Sequence, residues 1–150
     1  MAVKPIPDNY HAVTPYLIVS DAARLIDFLK QAFEAQEIER FLQPDGRVMH
    51  AEVRIRDSVI MMGEPMPGMT VMPASLLLYV TDCDAAYRQA IAAGATAINE
   101  PADQFYGDRS GGLKDPAGNM WWISTHKEDV APEEMKRRVE AMMQQKKAGA

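Results

Sequence analysis

The pattern of apolar and polar residues occurs twice along the chain, at an offset of 61 residues. Residues 14–21 (TPYLIVSD) align with residues 75–82 (SLLLYVTD), and residues 59–62 (VIMM) align with residues 120–123 (MWWI). The alignment needs no gap. Repetition of this kind is the sequence signature of a duplicated structural unit, so we predict two modules that share one order of elements.

Each module begins with a β-rich apolar run and continues into a helix. The runs end in Ser20-Asp21 and Thr81-Asp82, residue types that commonly form helix N-caps. Apolar residues then follow at helical spacing in both modules. Three further strands are predicted in each module, at residues 37–43, 47–55 and 59–62 in the first and at residues 96–99, near 112–114 and 120–125 in the second.

These elements predict a protein of the α+β class. We expect two βαβββ modules, at about 13–63 and 74–126, to form an open, cleft-bearing mixed β-barrel within one domain over residues 1–150. A C-terminal helix is expected at about 131–147, because Met135, Val139, Met142 and Met143 lie on one helical face.

Composition excludes several classes of function. The chain has 150 residues and a formal net charge of −5 at pH 7, so it lacks the basic surface that nucleic-acid binding usually requires. Its single cysteine excludes an intramolecular disulfide, and no apolar run approaches the ~20 residues of a membrane span. The first ten residues contain no apolar signal-peptide core. We therefore expect a cytoplasmic protein with no nucleic-acid or membrane partner.

His50 and Glu52 are the first candidates for chemistry. They lie two residues apart on a predicted strand, so both point to one face, whereas Ala51 and Val53 point to the other. Such a pair can supply a base and its orienting carboxylate, or two metal ligands. The alternative is a strand whose polar side is solvated or faces a partner chain.

The glycine-rich segment around Tyr106 and Arg109 is the second candidate. Its glycines permit positive φ or the close approach of a ligand. Arg109 could bind a carboxylate or phosphonate through its two-pronged guanidinium group, and Tyr106 could form a wall of the cleft. The alternative is a tight surface loop in which Arg109 pairs with Asp108 or with the backbone.

Strand parity places a third group of side chains in the cleft. If Leu17 and Leu78 pack under the helices, Tyr16 and Tyr79 must lie on the opposite face of the sheet. The repeat puts Trp122 on that side, where its indole ring can stack on a planar ligand. We therefore expect one concave pocket lined by His50, Glu52, Tyr106, Arg109 and Trp122, with Tyr16 and Tyr79 as further ligand-binding residues.

Three other residues have plainer explanations. His126 follows the last strand and could close the cleft, but a hinge before the terminal helix is the favoured interpretation. His11 lies in a proline-rich segment, which favours a surface position. Cys83 falls in the first turn of the second helix, where the helix dipole lowers a thiol pKa. Because no base lies nearby in sequence, we expect a buried, unreactive thiol.

Four segments resemble the PhnB-like branch of the vicinal-oxygen-chelate superfamily, which includes glyoxalase I, bleomycin-resistance proteins and extradiol dioxygenases. They are residues 13–17 (VTPYL), 45–52 (DGRVMHAE), 103–111 (DQFYGDRSG) and 125–129 (THKED). The resemblance implies the paired βαβββ fold and a homodimer. It implies no particular reaction, because most members of the branch have no assigned activity.

The resemblance also implies where a metal would be bound. Metal-using relatives place one ligand, usually His or Glu, on the first and on the last strand of each module. Here those positions fall on Thr14, Met61 or Met62, Ser75 and Trp122, none of which is a good ligand for a divalent transition ion. We therefore expect no metal at this centre and no cofactor, with a divalent metal only if His50 and Glu52 form a rearranged site.

The expected function is that of a small-molecule-binding protein whose organic ligand is unknown, and Arg109 favours an anion. The alternative is an enzyme (a lyase, isomerase or dioxygenase) with a rearranged site that uses His50 and Glu52 as catalytic residues. A third hypothesis is an oligomeric scaffold, which the apolar stripe of the terminal helix supports.

Overall fold

The computed structural model describes residues 2–149 and contains two modules of the same construction. The first consists of β1 (Tyr16–Ile18), α1 (Ala22–Phe33), β2 (Gln36–Leu42), β3 (Val48–Ile55) and β4 (Ser58–Gly63). The second consists of β5 (Ser75–Tyr79), α2 (Cys83–Ala92), β6 (Thr96–Asp103), β7 (Asp108–Lys114) and β8 (Met120–His126). Helix α3 (Pro132–Ala148) follows. The predicted α+β class and both βαβββ modules are confirmed.

Each module forms its own four-stranded mixed sheet. The strand orders are β1-β4-β3-β2 and β5-β8-β7-β6. The pairs β1–β4 and β5–β8 are parallel, and the remaining pairs are antiparallel. No closed barrel forms within residues 2–149, so the predicted open arrangement takes the form of two separate sheets.

The structural repeat contains a shift of one residue that the sequence alignment missed. The last strands recur at the predicted offset of 61, so that Met61 and Trp122 are equivalent. Their partners on β3 and β7 are Glu52 and Gly112, which lie 60 residues apart. The prediction of a repeat without gaps is therefore wrong for the middle strands of each module.

The one-residue shift arises in the turn between β7 and β8, which is one residue longer than the turn between β3 and β4. Ile55 pairs with Ser58 across a two-residue turn in the first module, whereas Asp115 donates its backbone N–H to the Asn119 carbonyl across three residues in the second. The buried Asp115 carboxylate accepts hydrogen bonds from the Asn119 side-chain amide and from Trp121 Nε1, both at 2.9 Å. This satisfied polar network fixes the turn and orients Trp121 in the core.

Helices α1 and α2 each have two side-chain acceptors for the backbone N–H groups of their first turn. Asp21 and Asp82 act as the predicted N-caps. In addition, Glu64 accepts from the first N–H of α1 at 3.3 Å, and Thr125 accepts from the first N–H of α2 at 2.8 Å. A residue at the end of the last strand thus ties each helix to its sheet and satisfies a backbone group that would otherwise lack a partner.

The hydrophobic core lies between the sheets and helices α1 and α2. Leu17 and Trp121 are each 2% exposed, and the rings of Phe33 and Trp121 pack at a centroid distance of 5.0 Å. Burial of each such large apolar side chain contributes roughly 1.5–3 kcal/mol. Tyr16 and Tyr79 are 47% and 55% exposed on the opposite faces, which confirms the predicted strand parity.

No residue of helix α3 is fully buried, and Met135, Val139 and Met142 on its apolar face are half-buried. Arg138 links it to the body, because its guanidinium group pairs with Glu128 and also donates to the Phe105 carbonyl at 3.1 Å. No helix among residues 2–149 is both long enough and apolar enough to cross a membrane.

Candidate functional site

The open face of each sheet, defined as the face that points away from α1 and α2, carries most of the predicted site residues. On the first sheet, Tyr16, Met61, Glu52 and Glu39 lie opposite one another across the four strands. His50 lies two residues before Glu52 on β3 and shares its face, as strand parity predicts. The two residues are in contact and form the centre of a polar cluster.

A chain of hydrogen bonds runs through this cluster. Tyr16 Oη lies 3.0 Å from His50 Nδ1, and His50 Nε2 lies 3.1 Å from Glu52 Oε1. Tyr10 donates to the other oxygen of Glu52, and Glu39 Oε1 lies 3.7 Å from His50 Nε2. Glu52 is only 5% exposed, so the imidazole connects a buried carboxylate to a more accessible one.

The two tyrosines of the cluster remain protonated phenols near neutral pH. The hydrogen bond to Glu52, followed by burial and the charge of Glu52, raises the pKa of Tyr10. Burial, followed by the charge of Glu52, raises the pKa of Tyr16. Both hydroxyl groups therefore retain a proton that they can donate.

His50 has two possible tautomers, and each suits a different chemistry. With the proton on Nε2, the ring donates to Glu52 and accepts from Tyr16, which makes a proton relay. With the proton on Nδ1, the ring donates to Tyr16 and presents the Nε2 lone pair towards Glu52 and Glu39, which makes a ligand set. The rings of Tyr16 and Phe41 pack against the imidazole at centroid distances of 5.6 and 6.3 Å and restrict its orientation.

The open face of the second sheet carries an aromatic surface instead. Trp122 is half-buried, and its ring lies directly over Gly112, where an added Cβ would approach Trp122 Cζ3 to 2.8 Å. A depression of about 620 Å³ lies beside the indole. The residues that line it include Ile98, Asn99, Gln104, Tyr106, Ser110 and Trp122.

A second histidine cluster lies at the end of this sheet. Asp108 is buried, accepts from the Tyr79 hydroxyl at 3.0 Å and lies 2.8 Å from His126 Nδ1. His126 Nε2 lies 2.9 Å from Asp129. The hydrogen bonds to Asp108 and Asp129 raise the pKa of His126. Asp108 was missed by the sequence analysis because only the pairing of β7 with β8 brings it opposite His126.

Arg109 does not join either open face. Only residues 104–107 form the turn between β6 and β7, so Arg109 is a strand residue rather than a loop residue. It points towards α2, where its guanidinium group forms two hydrogen bonds with Asp84, at 2.5 and 2.9 Å, and a third with Asp103 at 3.2 Å. Strand alternation puts Trp122 on the other side of the sheet. The argument for an anionic ligand, which rested on Arg109, therefore fails.

The single concave pocket expected from the sequence is divided between the two sheets. His50 and Glu52 cluster with Tyr16 on the first sheet, whereas Tyr106 and Trp122 line the depression on the second. The lining of that depression contains residues of the second module alone. The structure thus corrects the predicted pocket to two surfaces of different chemistry.

Cys83 is buried, and its thiol donates to the Ile123 carbonyl at 3.0 Å. Burial, followed by the charge of Asp84, raises the pKa of Cys83, the opposite of the shift expected for a thiol at a helix N-terminus. The thiol is therefore protonated and inaccessible, in agreement with the expected unreactive role. His11 is exposed, also as expected.

The superfamily metal positions named by the resemblance do not fit a metal in this structure. Thr14 precedes β1, Met62 is fully buried, and Met61 and Trp122 offer a thioether and an indole. Ser75 adds a hydroxyl. A divalent transition ion prefers imidazole nitrogen, thiolate or carboxylate oxygen, and these positions supply none of them.

Comparison with known proteins supports the same fold and family. The profile of the "Glyoxalase/Bleomycin resistance protein/Dioxygenase superfamily" matches residues 10–123. An uncharacterised protein of Mycobacterium bovis, Mb0911c, is 38% identical over 135 residues, which cover 83% of this chain and 89% of the relative. The Mycobacterium tuberculosis protein Rv0887c shows the same identity over 83% of this chain and 79% of its own length.

Solved structures of low sequence identity share the fold. TioX from Micromonospora sp. ML1 superimposes with a TM-score of 0.67 at 21% identity, covering 77% of this chain and 98% of TioX. A glyoxalase/bleomycin resistance protein/dioxygenase family enzyme from Burkholderia phytofirmans gives a TM-score of 0.62 at 24% identity, covering 74% and 94%. The narrower placement in the PhnB-like branch stays a prediction. Since the family profile matches most of the chain, the protein belongs to the glyoxalase/bleomycin resistance protein/dioxygenase superfamily.

Proposed function

We propose that this protein binds a small planar organic molecule on the open face of its second sheet. The observation that supports the proposal is the half-buried indole of Trp122, which rests on Gly112 at the side of an open depression. Tyr106 adds a second aromatic ring to the same depression. Flat aromatic surfaces of this kind stack on planar ligands.

The polar atoms around the indole indicate which ligands the depression favours. Asn99, Gln104 and Ser110 supply amide and hydroxyl groups that can orient a bound molecule. Apolar walls with a few orienting polar groups are typical of small-molecule sites. Glu100 also lines the depression, and Arg109 is engaged on the other side of the sheet. We therefore propose an uncharged or cationic ligand rather than an anionic one.

The proposed binding protein requires no cofactor at the superfamily metal positions, since their side chains are poor ligands. We also propose that it acts as a homodimer. In support, no residue of α3 is fully buried, its stripe of Met135, Val139 and Met142 is only half-buried, and Met143 is 55% exposed. Apolar surface of this kind is available for contact with a second copy.

Replacement of Trp122 tests the proposed ligand site. A panel of planar aromatic compounds is screened by thermal shift, and the Kd of each binder is measured by calorimetry for the wild type and for Trp122→Ala. Loss of one aromatic stacking contact predicts a Kd up to about 10-fold higher, with the chain still folded. Phe41→Ala, which removes an exposed ring from the first sheet, should leave the Kd unchanged. A Kd that Trp122→Ala does not alter would contradict the proposal, and so would a panel without any binder.

The second candidate function is an enzyme that uses His50 and Glu52. The observation that favours it is the hydrogen-bonded series from Tyr16 through His50 to Glu52. Tyr16 holds a proton, the imidazole can accept one, and Glu52 stabilises the resulting imidazolium. This series suits a lyase or isomerase, which needs only proton transfer. Turnover of carbonyl substrates with an acidic neighbouring C–H, lost in His50→Gln and retained in His126→Gln, would establish this function. Turnover that His50→Gln retains would refute it.

A further inference from the structure

We infer that Glu39, His50 and Glu52 bind a divalent transition-metal ion of the Zn²⁺ class on the open face of the first sheet. The site lies on β2 and β3, whereas the superfamily metal positions lie on the first and last strands of each module, although Glu52 is the direct cross-strand neighbour of Met61. The inference is independent of the ligand site at Trp122. It concerns the same residues as the enzymatic candidate but uses the other tautomer of His50, and the test below measures metal binding without turnover.

The positions of the donor atoms fit a single ion. One ligand atom from each of the three residues lies within 4.8 Å of the other two. His50 Nε2 is 3.1 Å from Glu52 Oε1 and 3.7 Å from Glu39 Oε1. Donors at the usual zinc distances of about 2.0–2.2 Å are separated by roughly 3.4 Å in tetrahedral geometry. The two His50 separations lie on either side of that value, and the Glu39 and Glu52 oxygens lie within 4.8 Å of each other, so side-chain adjustment can bring all three donors to one ion.

The charge around the site favours a cation. Glu39 and Glu52 lie directly opposite each other on paired strands, an arrangement in which like charges destabilise a sheet. Among residues 2–149, neither carboxylate forms an ion pair with a lysine or arginine, and His50 is the group that lies between them. A divalent ion would neutralise both carboxylates and remove the repulsion.

Neighbouring side chains already hold the donors in a suitable orientation. Tyr16 occupies His50 Nδ1, which leaves Nε2 as the metal-binding nitrogen, and the rings of Tyr16 and Phe41 restrict rotation of the imidazole. Tyr10 donates to the outer oxygen of Glu52 and so leaves Oε1 for the ion. Hydrogen bonds of this kind to metal ligands fix the tautomer and raise affinity.

The ligand set also determines the class of ion. One imidazole nitrogen with two carboxylates suits Zn²⁺ and similar transition ions, whereas Mg²⁺ and Ca²⁺ prefer oxygen ligands alone. Three protein ligands leave a fourth position for water or substrate, as in catalytic zinc sites. The half-exposed carboxylate of Glu39 gives that position access to solvent.

Calorimetric titration of the metal-free protein with ZnCl₂ tests this site. We expect one Zn²⁺ per chain, with no comparable binding of Mg²⁺. His50→Ala and Glu39→Gln should each abolish the stoichiometric binding or weaken it on the order of 100-fold, and Tyr16→Phe should weaken it roughly 10- to 100-fold. Circular dichroism verifies folding, and Glu39→Gln changes a half-exposed residue by one atom, so it keeps the test valid if His50→Ala unfolds.

Two histidine variants serve as matched controls. His126→Ala removes a histidine that also contacts two carboxylates, and His11→Ala removes an exposed one; both should bind Zn²⁺ like the wild type. Trp122→Ala should do so as well, which separates this inference from the proposed ligand site. The inference is overturned if the wild type binds no stoichiometric Zn²⁺, if His50→Ala and Glu39→Gln retain full affinity, or if a control variant loses the bound ion.

Discussion

The two open faces use equivalent positions of one repeated scaffold for different chemistry. Glu52 and His50 on β3 correspond to Gly112 and Ser110 on β7, at the 60-residue offset of the middle strands. On the last strands, Met61 corresponds to Trp122. Long polar side chains therefore build a cluster on the first sheet, whereas small residues on the second leave room for an indole ring. A duplicated fold thus fixes where side chains point and leaves their chemistry free to diverge.

The two histidine clusters also differ in how the carboxylates are arranged around the imidazole ring. His50 directs a single nitrogen, Nε2, towards both neighbouring carboxylates. His126 uses one nitrogen for Asp108 and the other for Asp129, so both nitrogens are engaged and the carboxylates lie on opposite edges of the ring. The second arrangement stabilises an imidazolium but has no convergent donors. The contrast teaches that two carboxylates beside a histidine form a convergent donor set only when both approach the same ring nitrogen.

The largest expected effect concerns the turn that distinguishes the second module. Asp115→Ala should lower the free energy of unfolding by about 3 kcal/mol or more, because several buried donors lose their acceptor at once. Asp57→Ala, in the exposed turn of the first module, should change it by no more than about 0.5 kcal/mol. Urea denaturation measures both. Equal losses of unfolding free energy in the two variants would show that the two turns stabilise the protein equally, which would contradict this prediction.

A smaller effect is expected where the second sheet makes room for the indole. Gly112→Ala should displace Trp122, since the new Cβ would lie 2.8 Å from its ring. We expect a loss of about 1–3 kcal/mol in the free energy of unfolding, a shift in tryptophan emission and weaker binding of planar compounds. Unchanged emission and affinity would mean that the close contact between Gly112 and Trp122 does not position the ring.

The histidine of the second module should make stability depend on pH. Its carboxylate partners raise the pKa of His126 above the ordinary value of 6.5. The stabilisation is therefore fully present below pH 6.5 and is lost as the pH rises through the higher pKa of the folded state. His126→Gln should be less stable than the wild type at pH 6, with the difference shrinking by pH 9. A constant difference across this range, or one shared by His11→Gln, would contradict the role of the two aspartates.

The smallest effect is expected for Arg109. Arg109→Gln removes ion pairs with Asp84 and Asp103 that are partly open to solvent, so we expect a minor decrease in thermal stability. Binding of planar compounds should not change, because the side chain lies on the helix side of the second sheet. A marked loss of affinity for planar compounds with unchanged stability would show that Arg109 contributes to ligand binding after all.

The sequence was sufficient to predict the fold because the apolar repeat determines it. Alternation along the strands placed Tyr16, Tyr79 and Trp122 correctly on the open faces, and the capping aspartates located both helices. The predicted loop is correct for Tyr106 and wrong for Arg109, because the glycines beyond Arg109 are strand residues and β7 already begins at Asp108.

The contacts that complete the two histidine clusters depend on pairing between strands and could not be predicted from the sequence. Glu39 meets His50, and Asp108 meets His126, only through the register of neighbouring strands. A bulge in β2 next to Glu39 shifts that register by one residue. The spacing of residues within one strand gives no information about such contacts, so the sequence could indicate the pair His50–Glu52 but not its third member.

The two histidine clusters should respond differently to a divalent cation, because only His50 directs a single nitrogen towards two carboxylates. Long-range ¹H–¹⁵N correlation spectra of the three histidine rings, recorded at neutral pH during titration with Zn²⁺, test both clusters in one measurement. We predict that the Nε2 signal of His50 shifts until one equivalent is bound, while the ring signals of His126 and His11 do not change. A His50 signal that does not respond to Zn²⁺, or a His126 signal that does, would refute a metal site at His50.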